Sequence, residues 1–340
     1  MAAARACFVP DVAAGLAASR PRRCGVSRAS PASRSAARAS TSARAGSGRP
    51  IEVITFDLDD TLWPTTPVVM AANEAFVEFC QARIPGFPDC AGVNEYMKAV
   101  RLERIEAAER ANERHFPLSF ASLRIAGGFR AAIDAGFPEA DAIGVVARGY
   151  HIAWIPARGA AAQAHLFPGV AEALAALRAN HPNALVGSVT NGLGSAEGAG
   201  LGAFFDFEVS ADASLDEEVG LHGDDARKPG LFPYEAATKK MARIKKKEDG
   251  AFEISHPRAW VHVGDDVVND CAFAKTFGAR AVRVSVPGVE PYVPGGGGGS
   301  YPGDPSRGED RLDLDELVDA TVESVAELPD LFRRWEAGEE

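Results

Sequence analysis

The sequence predicts an α/β protein: a Rossmann-like, mostly parallel sheet interrupted after its first strand by an inserted helical domain. Three observations carry this. The apolar run "VITF" at 53–56 reads as a buried strand and stops abruptly at the carboxylates of Asp57, Asp59 and Asp60. From Thr65 to about Ala164 apolar residues recur at helical spacing with no strand among them. From Leu166 onward strands and helices alternate, the pattern that places parallel strands between two helical layers.

The first 50 of the 340 residues have a different character. They hold nine Arg, a single acid (Asp11) and much Ala and Ser, the composition of an organellar transit peptide, disordered before import. Met1-Ala2-Ala3-Ala4 and the cluster Arg20, Arg22, Arg23 lean toward the chloroplast stroma. A mitochondrial leader is the alternative, and a disordered tail with no address is the plainer one. After the first strand, Val68, Val69, Ala72, Phe76, Phe79 and Cys80 line one helical face until "PGFPD" ends the run. Further helices are expected at Asn94–Glu113, Leu118–Ala135 and Pro138–Ile155. The alternating part follows: helix Val170–Arg178, strand "ALVGSVT" (184–190), "FFDFEVSAD", helix Phe232–Met241, strand "AWVHVGDD", helix Asn269–Phe277 and "ARAVRVSV". Residues 287–311, with five consecutive Gly, read as a flexible insertion before a last short strand and helix in "ATVESVAELPDLF".

Without the leader, 27 basic and 46 acidic residues leave a body near −19. So acidic a surface is a poor partner for a nucleic-acid backbone. No stretch approaches the roughly 20 apolar residues of a membrane span. Cys80, Cys90 and Cys271 follow no CxxC spacing, so neither a disulfide framework nor a zinc site is indicated.

In open parallel sheets ligands bind beyond the carboxyl ends of the strands, and three strands here end in polar residues. The first delivers Asp57 and Asp59, the second Ser188, Thr190 and Asn191, and a later one Asp265, Asp266 and Asp270, while "DDARKPG" adds Lys228 before a helix. Asp57 and Asp59, two apart, start on the same side of an extended backbone. Two carboxylates about 4 Å apart repel by about 4 kcal/mol at an effective dielectric near 20. A cation among them removes the repulsion, and an all-oxygen set suits Mg2+.

The ordered motifs "DLDDT", "SVTNG", "RKP" and "GDDVVND" resemble the haloacid dehalogenase-like (HAD) superfamily, over roughly residues 51–286 and again about 320–335. The resemblance implies a catalytic core at 51–65 and 165–340 and a helical C1-type cap at 66–164. More narrowly, "ITFDLDDTLW", "TNGLGSAEGAGLGAFFDFEVSAD" and "HVGDD" resemble phosphatases of flavin mononucleotide and related riboflavin-pathway phosphates. By that resemblance Asp57 attacks phosphorus and Asp59 protonates the leaving group, then activates water. Thr190, Asn191 and Lys228 bind the phosphoryl group. Mg2+ sits on Asp57, Asp265 and the main-chain carbonyl of Asp59. Asp270 is expected to hold Lys228 or a metal-bound water, and Asp266 either does the same or caps the next helix. Dehalogenating members lack the second aspartate, so Asp59 favours phosphoryl transfer.

The expected function is therefore a Mg2+-dependent phosphomonoesterase acting through an aspartyl-phosphate on flavin mononucleotide or a riboflavin-pathway phosphate, as the resemblance implies. The alternatives are a phosphatase of phosphoglycolate, a sugar phosphate or a pyrimidine nucleotide, and a HAD-fold binding module without turnover. "GLGSAEGAGLG" lacks the Lys-Ser/Thr ending of a P-loop and reads as small packing residues around a turn. His262 reads as a core histidine, Asp60 and Thr61 as turn residues, and His115 and His151 as packing residues of the insertion. Extra residues at about 212–226 leave the placement of Lys228 open. Trp63, Phe76, Phe79, Tyr96, Phe116 and Trp154 are the aromatic candidates for contact with a flat substrate ring.

Overall fold

A computed structural model describes residues 49–113, 118–211, 227, 228, 230, 232–245, 254–289 and 314–339. Residues 1–48 of the expected leader, the extra residues at 212–226, most of the 287–311 insertion, His115 and Phe116 lie outside the described residues.

The chain enters its sheet at once through β1 (Val53–Phe56), all four residues buried. Between it and the next strand run α1 (Thr65–Gln81), α2 (Cys90–Ala111), α3 (Phe120–Asp134), α4 (Glu139–Gly149), α5 (Ile155–Ala164) and α6 (Val170–Asn180). Then follow β2 (Leu185–Thr190), β3 (Phe207–Ser210), α7 (Phe232–Ile244), β4 (Trp260–Gly264), α8 (Phe273–Phe277), β5 (Arg280–Val284), α9 (Leu314–Leu317), β6 (Ala320–Val322) and α10 (Leu328–Ala337). The six strands form one sheet in the order β3-β2-β1-β4-β5-β6, every pairing parallel. β1 lies between β2 and β4, with Phe56 opposite Ser188 on one side and Val263 on the other. The strand order reverses beside β1, which is where such sheets open a crevice for ligands.

The period-2 alternation of the strands divides the core. Ile54, Phe56, Val261 and Val263 face α6 and α10, meeting Leu174, Leu177, Leu328 and Phe332. Val53, Leu185, Val189 and Trp260 face the other way, onto Tyr234 and Met241 of α7 and Phe273 of α8. Each such side chain removed from water stabilises the fold by roughly 1.5–3 kcal/mol. A separate apolar core, including Phe76, Ile84, Ala132, Val146 and Trp154, holds the helices of the insertion together.

Two helix boundaries differ from expectation. α2 begins at Cys90 rather than Asn94 because Asp89 caps it, accepting from the Gly92 N–H at 2.8 Å. The helix expected to end at Ile155 instead runs from Glu139 to Ala164, through Pro156. A π-helical turn at Tyr150–Trp154 makes this possible, with the Ile155 N–H bonded to the Tyr150 carbonyl. Proline in a helix interior lacks a donor and clashes with the carbonyl four residues back, and the widened turn relieves both. Cys80 and Cys271 are buried free thiols and Cys90, also free, is half-buried. No helix among the described residues is long and apolar enough to cross a membrane.

Candidate active site

The sheet order brings the polar strand ends together. Asp57 follows β1, with its N–H on the Val263 carbonyl of β4 at 2.8 Å, so the strand geometry extends to the carboxylate itself. The chain then turns sharply. Leu62 N–H reaches the Leu58 carbonyl and Asp60 N–H the Trp63 carbonyl, each at 2.8 Å. Asp60 takes the left-handed conformation (φ 58°) that Asp tolerates better than most residues, and its side chain accepts from the Thr65 N–H at the start of α1. Asp60 is thus the turn residue. Thr61 also reaches the site, since its hydroxyl donates to Asp265 Oδ1 at 3.3 Å.

Lys228 lies at the centre of the cluster. Its buried ammonium donates to Asp57 Oδ1 at 2.6 Å and to Asp270 Oδ1 at 2.5 Å. Asn191 at the end of β2 fixes its backbone from both sides, accepting from the Lys228 N–H at 2.7 Å and donating to the Lys228 carbonyl at 3.0 Å. The Asn191 side chain, expected at the phosphate, is therefore spent on placing the lysine. Thr190 is buried beside it, and its Oγ1 accepts from the Gly192 N–H at 3.2 Å. Asp266 caps the turn after β4, accepting from the N–H groups of Val268 and Asn269. Asp270 folds back against Gly264, where a Cβ would fall 2.2 Å from its carboxyl carbon, so only glycine fits there.

Behind Asp270 runs a buried chain of hydrogen bonds that the sequence did not disclose. Trp260 Nε1 donates to Thr55 Oγ1 at 2.8 Å, Thr55 Oγ1 meets His262 Nδ1 at 2.9 Å, and His262 Nε2 meets Asp270 Oδ1 at 3.2 Å. Its direction follows from chemistry. The indole only donates and the Asp270 carboxylate only accepts, so the neutral His262 carries its proton on Nε2, donating to Asp270, and its Nδ1 accepts a hydrogen bond from the Thr55 hydroxyl. Burial pushes the His262 pKa down, consistent with a neutral ring. His262 is a core histidine, as expected, but one that braces Asp270.

The carboxylates differ electrically. Burial, countered by Lys228 and reinforced by the Asp270 and Asp59 charges, raises Asp57 from 3.8 to about 7. Burial raises Asp265 well above its ordinary value, with Asp270 and Asp57 adding to it. Asp270 goes the other way: burial would raise it, but Lys228 and the His262 hydrogen bond hold it at about 2. Burial would lower Lys228, yet Asp270 and Asp57 carry it above its ordinary value.

Oxygens of Asp57, Asp265 and Asp270 lie within 4.8 Å of one another, a group able to hold a metal ion. Asp270 is already engaged by Lys228, His262 and the Asp266 N–H. Asp57, only partly offset by Lys228, and Asp265 are the two that burial leaves above the ordinary carboxylate range. An all-oxygen pair of this kind fits a hard divalent cation. The Asp59 side chain is outside the group. It pairs instead with Trp63 Nε1 at 2.8 Å and with Arg158 of α5, whose one terminal nitrogen reaches both carboxylate oxygens at 2.8 and 2.7 Å. Nothing in the local sequence around Arg158 marks it as a site residue.

Of the aromatic candidates, Trp63, Phe76 and Trp154 are all buried. Trp154 stacks on Tyr150 and donates to Asn73. These three pack the protein and offer no face to a ligand. Phe79 lies under the Arg83 guanidinium, and Tyr96 is half-buried.

Fold and site define a class: an α/β enzyme core with a lysine-held carboxylate at the end of its central strand and room for a cation beside it. The chain belongs to the haloacid dehalogenase-like hydrolases, whose family profile matches residues 51–278. Such enzymes act on small substrates. The 2-haloacid dehalogenase from Pseudomonas syringae pv. Tomato DC3000 has a similar structure, with TM-score 0.56 and 24% identity over 84% of this chain and 99% of that one. More distant are a HAD phosphatase from Thermococcus onnurineus (TM-score 0.42, 16% identity, 82% of this chain and 97% of that one) and a predicted phosphoglycolate phosphatase from Haemophilus somnus 129pt (TM-score 0.43, 17% identity, 83% and 97%). No curated protein matches the sequence.

Proposed function

We propose that the protein is a Mg2+-dependent phosphomonoesterase working through an aspartyl-phosphate on Asp57, with flavin mononucleotide or a riboflavin-pathway phosphate as substrate. The observation that carries the reading is the Asp57 carboxylate, buried, held by Lys228 at 2.6 Å, and followed two residues later by a second aspartate. A carboxylate so placed is a nucleophile, and phosphoryl transfer needs the acid that Asp59 supplies. Asp59 enters the step protonated, the carboxylate paired with Arg158 being its base form; Asp57 bonds to phosphorus as the ester P–O bond breaks, and the departing alkoxide takes the Asp59 proton. Asp59 then removes a proton from the water that attacks the phospho-aspartate, releasing phosphate and restoring Asp57. Lys228 keeps Asp57 aligned and balances charge on the phosphoryl oxygens, and Thr190 supports them from β2. Mg2+ held by Asp57 and Asp265 would add positive charge against these anions. The flavin part of the reading rests on the resemblance around "DLDDTLW" and the loop after β2.

Phosphate release from a panel of esters tests both levels. Asp57→Asn preserves size but cannot attack, and turnover within about tenfold of the parent refutes the nucleophile (about 1.4 kcal/mol of barrier). If phosphoglycolate, a sugar phosphate or a pyrimidine nucleotide exceeds flavin mononucleotide in kcat/KM by more than about tenfold, the flavin assignment falls and the phosphatase stands.

A further inference from the structure

Asp59 is held from two sides by donors on different elements. Trp63, in the turn after β1, donates its indole N–H to Oδ1, and Arg158 of α5 donates to both oxygens. The ion pair is nearly dry, with the Arg158 side chain 6% exposed and that of Asp59 17%. A guanidinium taken out of water is costly unless its partner is well placed, and ordering so long a side chain adds to that cost. Helix packing alone would be served better by an apolar residue.

The seat of α5 is equally specific. At Gly159, next to Arg158, a Cβ would come 2.6 Å from the Gly198 carbonyl oxygen in the loop after β2. Bare backbone on both sides lets the helix reach contact with that loop. Arg158 therefore projects from a platform fixed to the catalytic core, although it belongs to the helical insertion.

We infer that Arg158 is a positioning residue for Asp59. Together with Trp63 it fixes the plane and reach of the acid–base carboxylate. The terminal torsion of an aspartate is broad when free, and two donors from separate elements remove that freedom. The inference rests on the reading of Asp59 as the acid that protonates the leaving group. Misplacing a reacting group by about 1 Å can cost on the order of 10²-fold in rate. The loss must fall on substrates that need the proton. An aliphatic alkoxide leaves only as it takes the Asp59 proton, whereas p-nitrophenolate leaves with the P–O electron pair and no proton.

The test compares kcat/KM, which reports steps through leaving-group departure, for glycerol 2-phosphate and p-nitrophenyl phosphate at one pH with saturating Mg2+. Asp59→Asn calibrates it, with an expected loss of about 10²-fold or more on the alkyl ester and a far smaller one on the aryl ester. Arg158→Gln is expected to lose about tenfold on glycerol 2-phosphate and less than about threefold on p-nitrophenyl phosphate. Arg158→Lys should recover part of the loss. Trp63→Phe, which keeps most of the ring and removes the N–H, should show the same selectivity at smaller size, and it carries the test if Arg158→Gln does not fold. Equal losses on both esters in the Arg158 and Trp63 variants, beside a selective Asp59→Asn, overturn the inference alone. An unselective Asp59→Asn overturns the role of Asp59, and this inference with it.

Discussion

The metal-free protein should become more stable as the pH is lowered from 8 to 5, and Asp57 sets the size of the effect. Its carboxyl is raised from 3.8 to about 7 by burial, which outweighs the help it receives from Lys228. A group that binds its proton more tightly when folded contributes stability that is complete below pH 3.8 and lost as pH climbs through about 7. The whole shift of about three units is worth ~4 kcal/mol at 1.36 kcal/mol per unit. About two of those units lie between pH 5 and 7, giving ~3 kcal/mol, or ~6–12 °C in Tm at roughly 2–4 °C per kcal/mol for a chain of this order of size. Asp265 shifts in the same direction and adds to the slope. Asp270, held at about 2, acts oppositely, but only where pH falls below about 4, outside the window. The assay is thermal unfolding of chelator-treated protein at pH 5, 6, 7 and 8, with Asp57→Asn as control for the general charge of an acidic chain. Mg2+ at about 100 times its dissociation constant should restore about 2.7 kcal/mol, and the gain should be larger at pH 8 than at pH 5, where protons compete. A flat Tm in the chelated parent, or an equal slope in Asp57→Asn, refutes the assignment of Asp57 as a buried carboxylate that Lys228 only partly offsets.

Lys228→Met leaves the Asp57 and Asp270 carboxylates buried without their shared cation, and should cost roughly 3–5 kcal/mol in denaturant unfolding at pH 8, with a smaller loss at pH 5; a loss independent of pH counts against the ion triad. Gly159→Ala drives a methyl against the Gly198 carbonyl and should destabilise by roughly 1–3 kcal/mol while lowering kcat/KM on alkyl phosphates, so an unaltered variant would show that α5 is not seated there. A reporter carrying residues 1–50 should enter plastids and lose the leader near residues 40–50, and a reporter left in the cytosol rejects that reading.

The polar strand ends were legible because they depend on local rules. An apolar run ending in polar residues marks the carboxyl edge of a buried parallel strand. The order β2-β1-β4 then places Thr190, Asp57 and Asp265 side by side. Lys228 could be picked out only by the motifs around it. What the sequence withheld is set by contacts between distant segments. Whether Asn191 meets a phosphate or clamps a lysine backbone depends on a loop 37 residues away. His262 looks the same in sequence whether it packs passively or braces Asp270. The helix expected to stop at Ile155 runs on to Ala164, because a π turn, which has no reliable local signature, carries it past Pro156.

That extension has a chemical consequence. Ending the helix at Ile155 would leave Arg158 in a connecting loop; running it to Ala164 places Arg158 on a rigid element and Gly159 against the loop after β2. The insertion thereby holds the aspartate proposed to protonate the leaving group, while the sheet holds the one proposed to attack. A substitution that shifts α5 therefore also moves the donor on Asp59. Variants of the insertion selected for a new ester should accordingly keep Arg158, and loss of Arg158 in an active variant would count against the shared role of α5.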